Sequence, residues 1–248
     1  MTDIRQYLDS TYLKTAEQTG LTEAENAAVA REFIQEAIDG HFKLIMIRPE
    51  MVSFAKAMVE KASSKLLVGT VIDFPFGLSP LEMKMAEAEK AIEDGADDLD
   101  FVCNYEAFKI GDVERVRDEI LQCTALGLAA GKTVKWIIEV AALDNQQIVR
   151  LSALIKNVVV THFKEDSYAS VFVKSSTGFY KTQNNLPNGA TIPTITMMIE
   201  NAYPLPVKAA GGVRSFEEAE AMIRLGVKRI GTSSAKAIAE GKISKTGY

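Results

Sequence analysis

Short apolar runs alternate with amphipathic segments along the 248 residues of this chain. Apolar runs bounded by polar residues are typical of buried parallel strands, and segments with an apolar residue at every third or fourth position are typical of the helices between them. The pattern therefore predicts a succession of strand and helix units. The predicted strands are 7–13, 43–48, 65–73, 98–103, 133–139, 171–176, 206–210 and 228–233.

Several helix starts carry a capping box, in which a Ser or Thr hydroxyl and a Glu three residues later satisfy the free backbone N–H groups of the first turn. One predicted helix has Pro80 at its first position and Gly95 just after its end, the places that these residues favour. The predicted capping boxes are Thr22 with Glu25, Ser79 with Glu82 and Ser215 with Glu218.

The number of units favours one fold within the α/β class. Eight strand and helix units in about 250 residues are typical of a (β/α)8 TIM barrel, whereas a doubly wound sheet more often has five or six strands. No stretch rich in Pro, Gly and Ser divides the chain, and the loop 181–191 is too short to tether two domains. We expect a single barrel domain, 1–248, with a short N-terminal helical extension.

Composition excludes several classes of function. The net charge of −5 has no block of like charges, so neither nucleic acid nor an anionic membrane surface is an expected partner. No apolar run is long enough for a membrane span, and the two cysteines, Cys103 and Cys123, have no disulfide or zinc spacing, which favours a cytoplasmic location. With only His41 and His162 available, proton transfer must fall to lysines and carboxylates.

Charged residues occur inside four of the apolar runs. Each could be a solvent-facing strand end or half of a structural ion pair, because an unpaired buried charge is costly. Together they fall near the carboxyl ends of successive strands, the face where barrel enzymes carry their catalytic groups. These residues are Asp100, Lys135, Glu139, Lys174 and Lys208.

Strand alternation turns Lys135 and Glu139 to the same side, so that three lysines and two acids would share one pocket. Neighbouring cations and partial burial both lower the pKa of a lysine, which makes a neutral amine available near pH 7. Such an amine condenses with a carbonyl to give an iminium ion. The strand charges therefore point to Schiff-base chemistry.

Glycines and hydroxyl residues follow the last two strands. In barrels the loops after strands 7 and 8 often bind phosphate, because glycine lets backbone N–H groups approach an oxyanion and the next helix presents its positive end. This pattern predicts a phosphate-bearing substrate. The residues concerned are Gly211, Gly212, Gly231, Ser233 and Ser234.

These segments resemble those of a known family, the class I deoxyribose-phosphate aldolases. VKSSTGF (173–179) is similar to the family's Schiff-base segment, VKAAGGVRS (207–215) to the segment of its second active-site lysine, and ADDLDFVCNY (96–105) to that of its catalytic aspartate. Further counterparts follow in chain order. They are LDSTYLK (8–14), TVIDFPFG (70–77), TVKWIIE (133–139) and IGTSSA (230–235).

The resemblance implies reversible cleavage of 2-deoxy-D-ribose 5-phosphate to D-glyceraldehyde 3-phosphate and acetaldehyde, without a cofactor or metal. It places the imine on Lys174, a cation that lowers the pKa of that amine at Lys208, and proton transfer at Asp100. Small sugar phosphates and aldehydes would be the partners, and either a monomer or a homodimer fits the family.

Further residues enter through the same resemblance. It adds Thr177 and Gly178 to the phosphate site, and candidate accessory residues are Lys135, Glu139, Thr11 and the terminal Tyr248. The segments 161–170 and 182–187 depart from the family pattern and could change the accepted substrate length. Two alternatives stay open: another lysine-dependent sugar-phosphate aldolase, and a non-catalytic barrel that binds a phosphorylated metabolite.

Overall fold

The centre of the protein is a closed barrel of eight parallel strands that pair in sequence order. The computed structural model describes residues 3–183 and 186–242. Each predicted strand is present, shortened by up to two residues at its ends, so the predicted (β/α)8 fold is confirmed. The strands are β1 Leu8–Tyr12, β2 Leu44–Ile47, β3 Leu67–Ile72, β4 Asp98–Val102, β5 Thr133–Ile137, β6 Val171–Lys174, β7 Val207–Ala210 and β8 Arg229–Thr232.

Helices surround the barrel and connect successive strands. The predicted N-terminal extension is one 3-10 turn, Ile4–Tyr7, that leads directly into β1. Within the part of the chain that the structure describes, no helix has the length and apolar character needed to cross a membrane. The helices are α1 Ala16–Thr19, α2 Glu23–Asp39, α3 Val52–Lys61, α4 Leu81–Glu93, α5 Tyr105–Lys109, α6 Val113–Ala129, α7 Asn145–His162, α8 Ile192–Ala202, α9 Phe216–Leu225 and α10 Ala235–Ala239.

Two of the three predicted capping boxes are confirmed, those that begin α2 at Thr22 and α9 at Ser215. The box predicted at Ser79 is wrong. Helix α4 begins at Leu81, so Pro80 occupies the N-cap position rather than the first helical position. The N–H and hydroxyl of Ser79 instead donate to the carboxylate of Asp73, at 2.9 and 2.7 Å, which leaves this serine no role at the helix start.

The interior of the barrel is divided between apolar and charged side chains. Leu44 and Met46 of β2 pack with Val71 of β3 and with Leu13, which follows β1. This group is separate from the main core, where the outward-facing strand residues meet the helices. The apolar group fills one side of the barrel, and the other strands contribute charged side chains to the interior.

Candidate active site

One carboxylate, that of Asp100, holds three lysines inside the barrel. Its Oδ1 accepts a hydrogen bond from Lys135 Nζ at 2.7 Å, and its Oδ2 accepts from Lys174 Nζ at 2.8 Å and from Lys208 Nζ at 2.9 Å. All four side chains are buried, with Lys174 the most exposed at 4%. The structure thus brings together the three lysines and the aspartate that the sequence singled out.

The strand register explains this convergence. Asp100 pairs with Lys135 across β4 and β5, and Lys174 pairs with Lys208 across β6 and β7. Paired residues in adjacent strands turn their side chains to the same face of the sheet. The prediction that these residues lie near the carboxyl ends of their strands is confirmed for Lys174, the last residue of β6. It is wrong for Asp100 and Lys135, which lie at the centres of β4 and β5. Lys174 is therefore the lysine nearest the mouth of the barrel.

Burial and charge give these groups different pKa values. Burial lowers the pKa of Lys174 to about 8; Asp100 opposes that effect, while the cations of Lys208 and Lys135 add to it. Burial alone would raise the pKa of Asp100, but the three lysines hold it well below its ordinary range. Burial also opposes the charged form of Lys135, yet its carboxylate neighbours raise its pKa. Lys174 is thus an amine that loses its proton close to neutral pH.

Three further buried charges of the barrel interior were missed by the sequence analysis. Asp9 of β1 accepts from Arg229 Nε at 2.7 Å and lies 2.6 Å from Lys208 Nζ. Asp98 of β4 lies 3.1 Å from an Arg229 guanidinium nitrogen and 2.7 Å from Lys135 Nζ. Asp98 shares the strand face of Asp100, two residues away, and that spacing was the one signal that could have found it.

These contacts close into a ring of alternating charge that lies across the barrel interior. Each carboxylate of the ring touches two cations of the ring, and each cation touches two of its carboxylates. We call this set of six residues the charge ring. In order it consists of Asp100, Lys208, Asp9, Arg229, Asp98 and Lys135, which returns to Asp100. Lys174 is bonded to the ring through Asp100 but is not part of it.

Glu139 supports the segment that follows Lys174. It lies just after β5 in a left-handed backbone conformation, φ 53°, which is uncommon for a residue with a side chain. Its carboxylate accepts from the Ser176 hydroxyl at 2.9 Å and from both the N–H, at 3.2 Å, and the hydroxyl of Thr177. Burial raises the pKa of Glu139, and these hydrogen bonds act against that effect.

The predicted phosphate residues fall into two groups. Gly211, Gly212, Ser233 and Ser234 line one concave surface formed by the loops after β7 and β8. Gly211 and Gly212 have φ values of 84° and 91°, a conformation that glycine adopts without strain. Gly231 lines the same surface, but it has a second effect: a Cβ there would lie 3.0 Å from Cε of Lys208, so its lack of a side chain makes room for that lysine.

Thr177 and Gly178 form the other group. Their backbone N–H groups already have partners inside the protein, since Thr177 donates to Glu139 and Gly178 donates to the Ser176 hydroxyl at 2.9 Å. Of the accessory candidates, Thr11 is buried on β1 and donates to the backbone carbonyl of Asp9. Tyr248 lies outside the described residues.

The protein is a parallel barrel with a buried lysine, of pKa about 8, at the carboxyl end of a strand. These are the features of a Schiff-base enzyme. Residues 12–241 match the family model of the DeoC/LacD family aldolases. The chain belongs to this family, and it is an aldolase.

Individual relatives agree with that assignment. A deoxyribose-phosphate aldolase from Thermococcus gammatolerans is 36% identical over 243 residues, which are 96% of this chain and 96% of that protein. The solved structure of an aldolase named QR15 has a TM-score of 0.79 at 31% identity, and covers 97% of this chain and 96% of its own. A tetrameric deoxyribose phosphate aldolase from Aeropyrum pernix has a TM-score of 0.74 at 29% identity, with 96% and 89% covered.

Proposed function

We propose that this protein reversibly cleaves 2-deoxy-D-ribose 5-phosphate to D-glyceraldehyde 3-phosphate and acetaldehyde, through a Schiff base on Lys174. The observation that carries the proposal is the Lys174 amine, whose pKa burial lowers to about 8, held 2.8 Å from Asp100 below the barrel mouth. The names of full-length relatives at 35–36% identity support the choice of substrate.

In the proposed reaction the neutral Lys174 amine adds to the C1 carbonyl of the open-chain sugar, and loss of water gives an iminium ion. A base removes the proton of the C3 hydroxyl, the C2–C3 bond breaks, and its electron pair moves toward the iminium nitrogen to leave an enamine. Protonation of the enamine carbon and addition of water release acetaldehyde. Asp100, with Lys208 and a bound water, transfers these protons, because they are the ionisable groups in contact with or beside the Lys174 amine.

Lys208 has a second proposed role as the cation that favours the neutral form of Lys174. Lys135 and Glu139 are accessory groups in the proposal, the first holding Asp100 and the second holding the segment after Lys174. Thr11 is accessory through its bond to the Asp9 backbone.

The phosphate would bind on the concave surface formed by Gly211, Gly212, Gly231, Ser233 and Ser234. Open space beside the Cα of Gly212 supports this placement, because an oxyanion could approach the backbone there. Thr177 and Gly178 belong to this part of the proposal through the family resemblance, although their N–H groups already donate to Glu139 and Ser176. The carbonyl of Gly178 accepts from the side chain of Asn188, which lines this surface.

Three broader expectations belong to the same proposal. Residues 1–248 act as one domain, which the closing of the barrel between β1 and β8 supports. A cytoplasmic location is supported by two buried, free cysteines, Cys103 and Cys123. A homodimer is supported by the tetrameric relative from Aeropyrum pernix and by exposed apolar side chains such as Phe76 and Met83.

Membership of an aldolase family argues against the alternative of a non-catalytic metabolite-binding barrel, and a binder has no need of an amine with a lowered pKa. Reduction by borohydride in the presence of acetaldehyde distinguishes a Schiff-base aldolase from a non-catalytic barrel. We expect an N-ethyl group on Lys174, detected by peptide mass spectrometry. A folded protein that gains no adduct would refute the Schiff-base proposal.

A substrate comparison separates the proposed reaction from that of another sugar-phosphate aldolase. We expect 2-deoxyribose 5-phosphate to be cleaved with a kcat/KM on the order of 10-fold to 100-fold above that of unphosphorylated 2-deoxyribose, the range expected for charge-assisted hydrogen bonds. A Gly212→Val variant should lose most of this preference while it still forms the acetaldehyde adduct. Equal rates on both sugars would contradict the phosphate site.

The role of Lys208 predicts a pH-dependent defect. Removing this cation by Lys208→Leu should raise the pKa of Lys174, so less neutral amine is present at pH 7. Imine formation should therefore slow by about 10-fold or more at pH 7, and by much less near pH 10, where Lys174 is deprotonated without help. The rate of adduct formation across this pH range tests the prediction. A loss of equal size at every pH would show that Lys208 does not act through the pKa of Lys174.

A further inference from the structure

Arg229 closes the charge ring at the end of the barrel opposite the mouth. It is the first residue of β8, and Asp98, which it contacts, is the first residue of β4. Its guanidinium reaches Asp9 through Nε at 2.7 Å and through a terminal nitrogen at 2.6 Å, and the same terminal nitrogen lies 3.1 Å from Asp98. Arg229 is therefore bound to carboxylates of two different strands, and it does not itself touch Lys174 among the described contacts.

Each carboxylate that Arg229 holds carries a lysine on its other side. Asp9 lies 2.6 Å from Lys208, and Asp98 lies 2.7 Å from Lys135. Both lysines then converge on Asp100, which is the partner of Lys174. Two chains of contacts thus run from Arg229 up opposite sides of the barrel and meet at the carboxylate beside the reactive amine.

The ring is electrically balanced when all its members are ionised, since three carboxylates alternate with three cations. A protonated Lys174 is the extra charge. Outside the ring, Glu139 also interacts with Lys174, and its carboxylate is occupied by the hydrogen bonds of Ser176 and Thr177. In this low-dielectric setting the balance of the ring has a direct effect on which amine carries a proton.

We propose that Arg229 is a positioning residue of the Schiff-base reaction. It holds Asp9 and Asp98, and these two carboxylates hold Lys208 and Lys135 on Asp100. As a result, Lys174 is the amine that loses its proton. The inference rests on the proposed function of Lys174. It assigns a part in catalysis to a residue at the closed end of the barrel, where charged side chains are ordinarily assigned to stability alone.

Removing the guanidinium charge has an effect of predictable sign. In Arg229→Met the remaining ring has one excess negative charge, which favours the protonated form of Lys174. We expect the pH midpoint of acetaldehyde adduct formation, measured with cyanoborohydride and mass spectrometry, to rise by roughly one pH unit. The rate should fall about 10-fold at pH 7 and recover above pH 9. Arg229→Lys restores the charge, so its midpoint should return close to that of the wild type.

Two further variants serve as controls. Asp98→Asn removes a negative charge from the same ring, so its midpoint should move in the opposite direction, to lower pH. Arg224→Gln removes an arginine that is exposed on α9 and paired with Glu220, and its midpoint should not change. If Arg229→Met does not fold, the pH midpoint of adduct formation in Asp98→Asn still tests how the net charge of the ring acts on Lys174. That midpoint should fall.

The outcomes separate this inference from the proposed function. A wild-type protein that forms no adduct refutes both. If the wild type forms the adduct, two results would overturn the role of Arg229 and leave the function of Lys174 unaffected. One is an Arg229→Met variant that forms the adduct more slowly by the same factor at every pH. The other is an Asp98→Asn variant whose pH midpoint does not change or rises. Opposite shifts in the two variants, with rescue by Arg229→Lys, support it.

Discussion

Replacement of Lys174 by Met is expected to abolish both aldol cleavage and the acetaldehyde adduct while the barrel stays folded and becomes more stable. The amine is the proposed nucleophile, so the loss in kcat/KM should be on the order of 10⁴-fold or more, as for other covalent nucleophiles. The gain in stability follows from the charge ring, which is balanced without Lys174. Asp100 keeps Lys135 and Lys208 as partners in the variant.

The sign of the stability effect follows from the two states of the lysine. The pKa of Lys174 is about 8 in the folded protein and near its ordinary 10.5 in the unfolded chain. Below pH 8 both states are protonated, and the buried charge lowers the free energy of unfolding by roughly 3 kcal/mol relative to a neutral side chain. Between pH 8 and 10.5 the folded protein loses this proton first, so the wild type gains stability as the pH rises.

Urea unfolding at several pH values directly measures the effect of the Lys174 charge on the free energy of unfolding. At pH 7 we expect Lys174→Met to exceed the wild type by about 1 to 3 kcal/mol, and the gap should narrow toward pH 10. Lys236→Met is a matched control, because Lys236 is exposed and paired only with Glu36 among the described ion pairs. A Lys174→Met variant that is less stable than the wild type at pH 7 would show that the amine is part of the structural network.

The lysines of this site were predictable because each interrupts an apolar run. Lys174 stands among valines in VFVKSS, and Lys208 stands in PVKAA, where a charge has no structural reason to be. Arg229 gives no such signal. It follows Lys228 at the start of a strand, so in the sequence it resembles an ordinary solvent-exposed strand end. Asp98 likewise follows another charged residue, Asp97, at the start of a strand, so it does not interrupt an apolar run either.

The pairing of these charges could not be predicted from the sequence. Arg229 and Asp9 are 220 residues apart and meet only because β8 closes the barrel on β1. The hydrogen bonds of Thr177 were also hidden, since they depend on Glu139 turning back through a left-handed conformation that a non-glycine residue seldom adopts. Residue types identified the chemistry, and the closure of the sheet decided which groups touch.

Replacement of Asp100 by Asn is expected to have the opposite effect on stability to that of Lys174→Met, with a smaller loss of activity. The near-isosteric amide leaves three lysines around a neutral group, where the carboxylate had accepted from each of them at 2.7 to 2.9 Å. Removing one partner of a buried charge network costs about 3 to 5 kcal/mol. Loss of the proton-transfer group should lower kcat by about 10²-fold to 10⁴-fold.

The stability of Asp100→Asn should differ from that of the wild type in its dependence on pH at both low and high pH. In the wild type the lysines hold the pKa of Asp100 well below 3.8, so its contribution to stability is present above that pH and is lost as the pH falls through the folded-state value. In Asp100→Asn that contribution is absent. The remaining strain is repulsion between lysines. Without the attraction of Asp100 the pKa of Lys174 falls below its wild-type value, so as the pH rises the variant should regain stability at a lower pH than the wild type does.

A double variant completes the test, because it removes the excess cation as well as the carboxylate. Asp100→Asn combined with Lys174→Met leaves Lys208 and Lys135 with Asp9 and Asp98 as their respective carboxylate partners. At pH 7 we expect Lys174→Met to stabilise the Asp100→Asn background by about 0.5 to 3 kcal/mol more than it stabilises the wild type, and this excess is the coupling between the two sites. Urea unfolding of the wild type and three variants measures that coupling. Additive effects would mean that the charge on Lys174 is not balanced by Asp100.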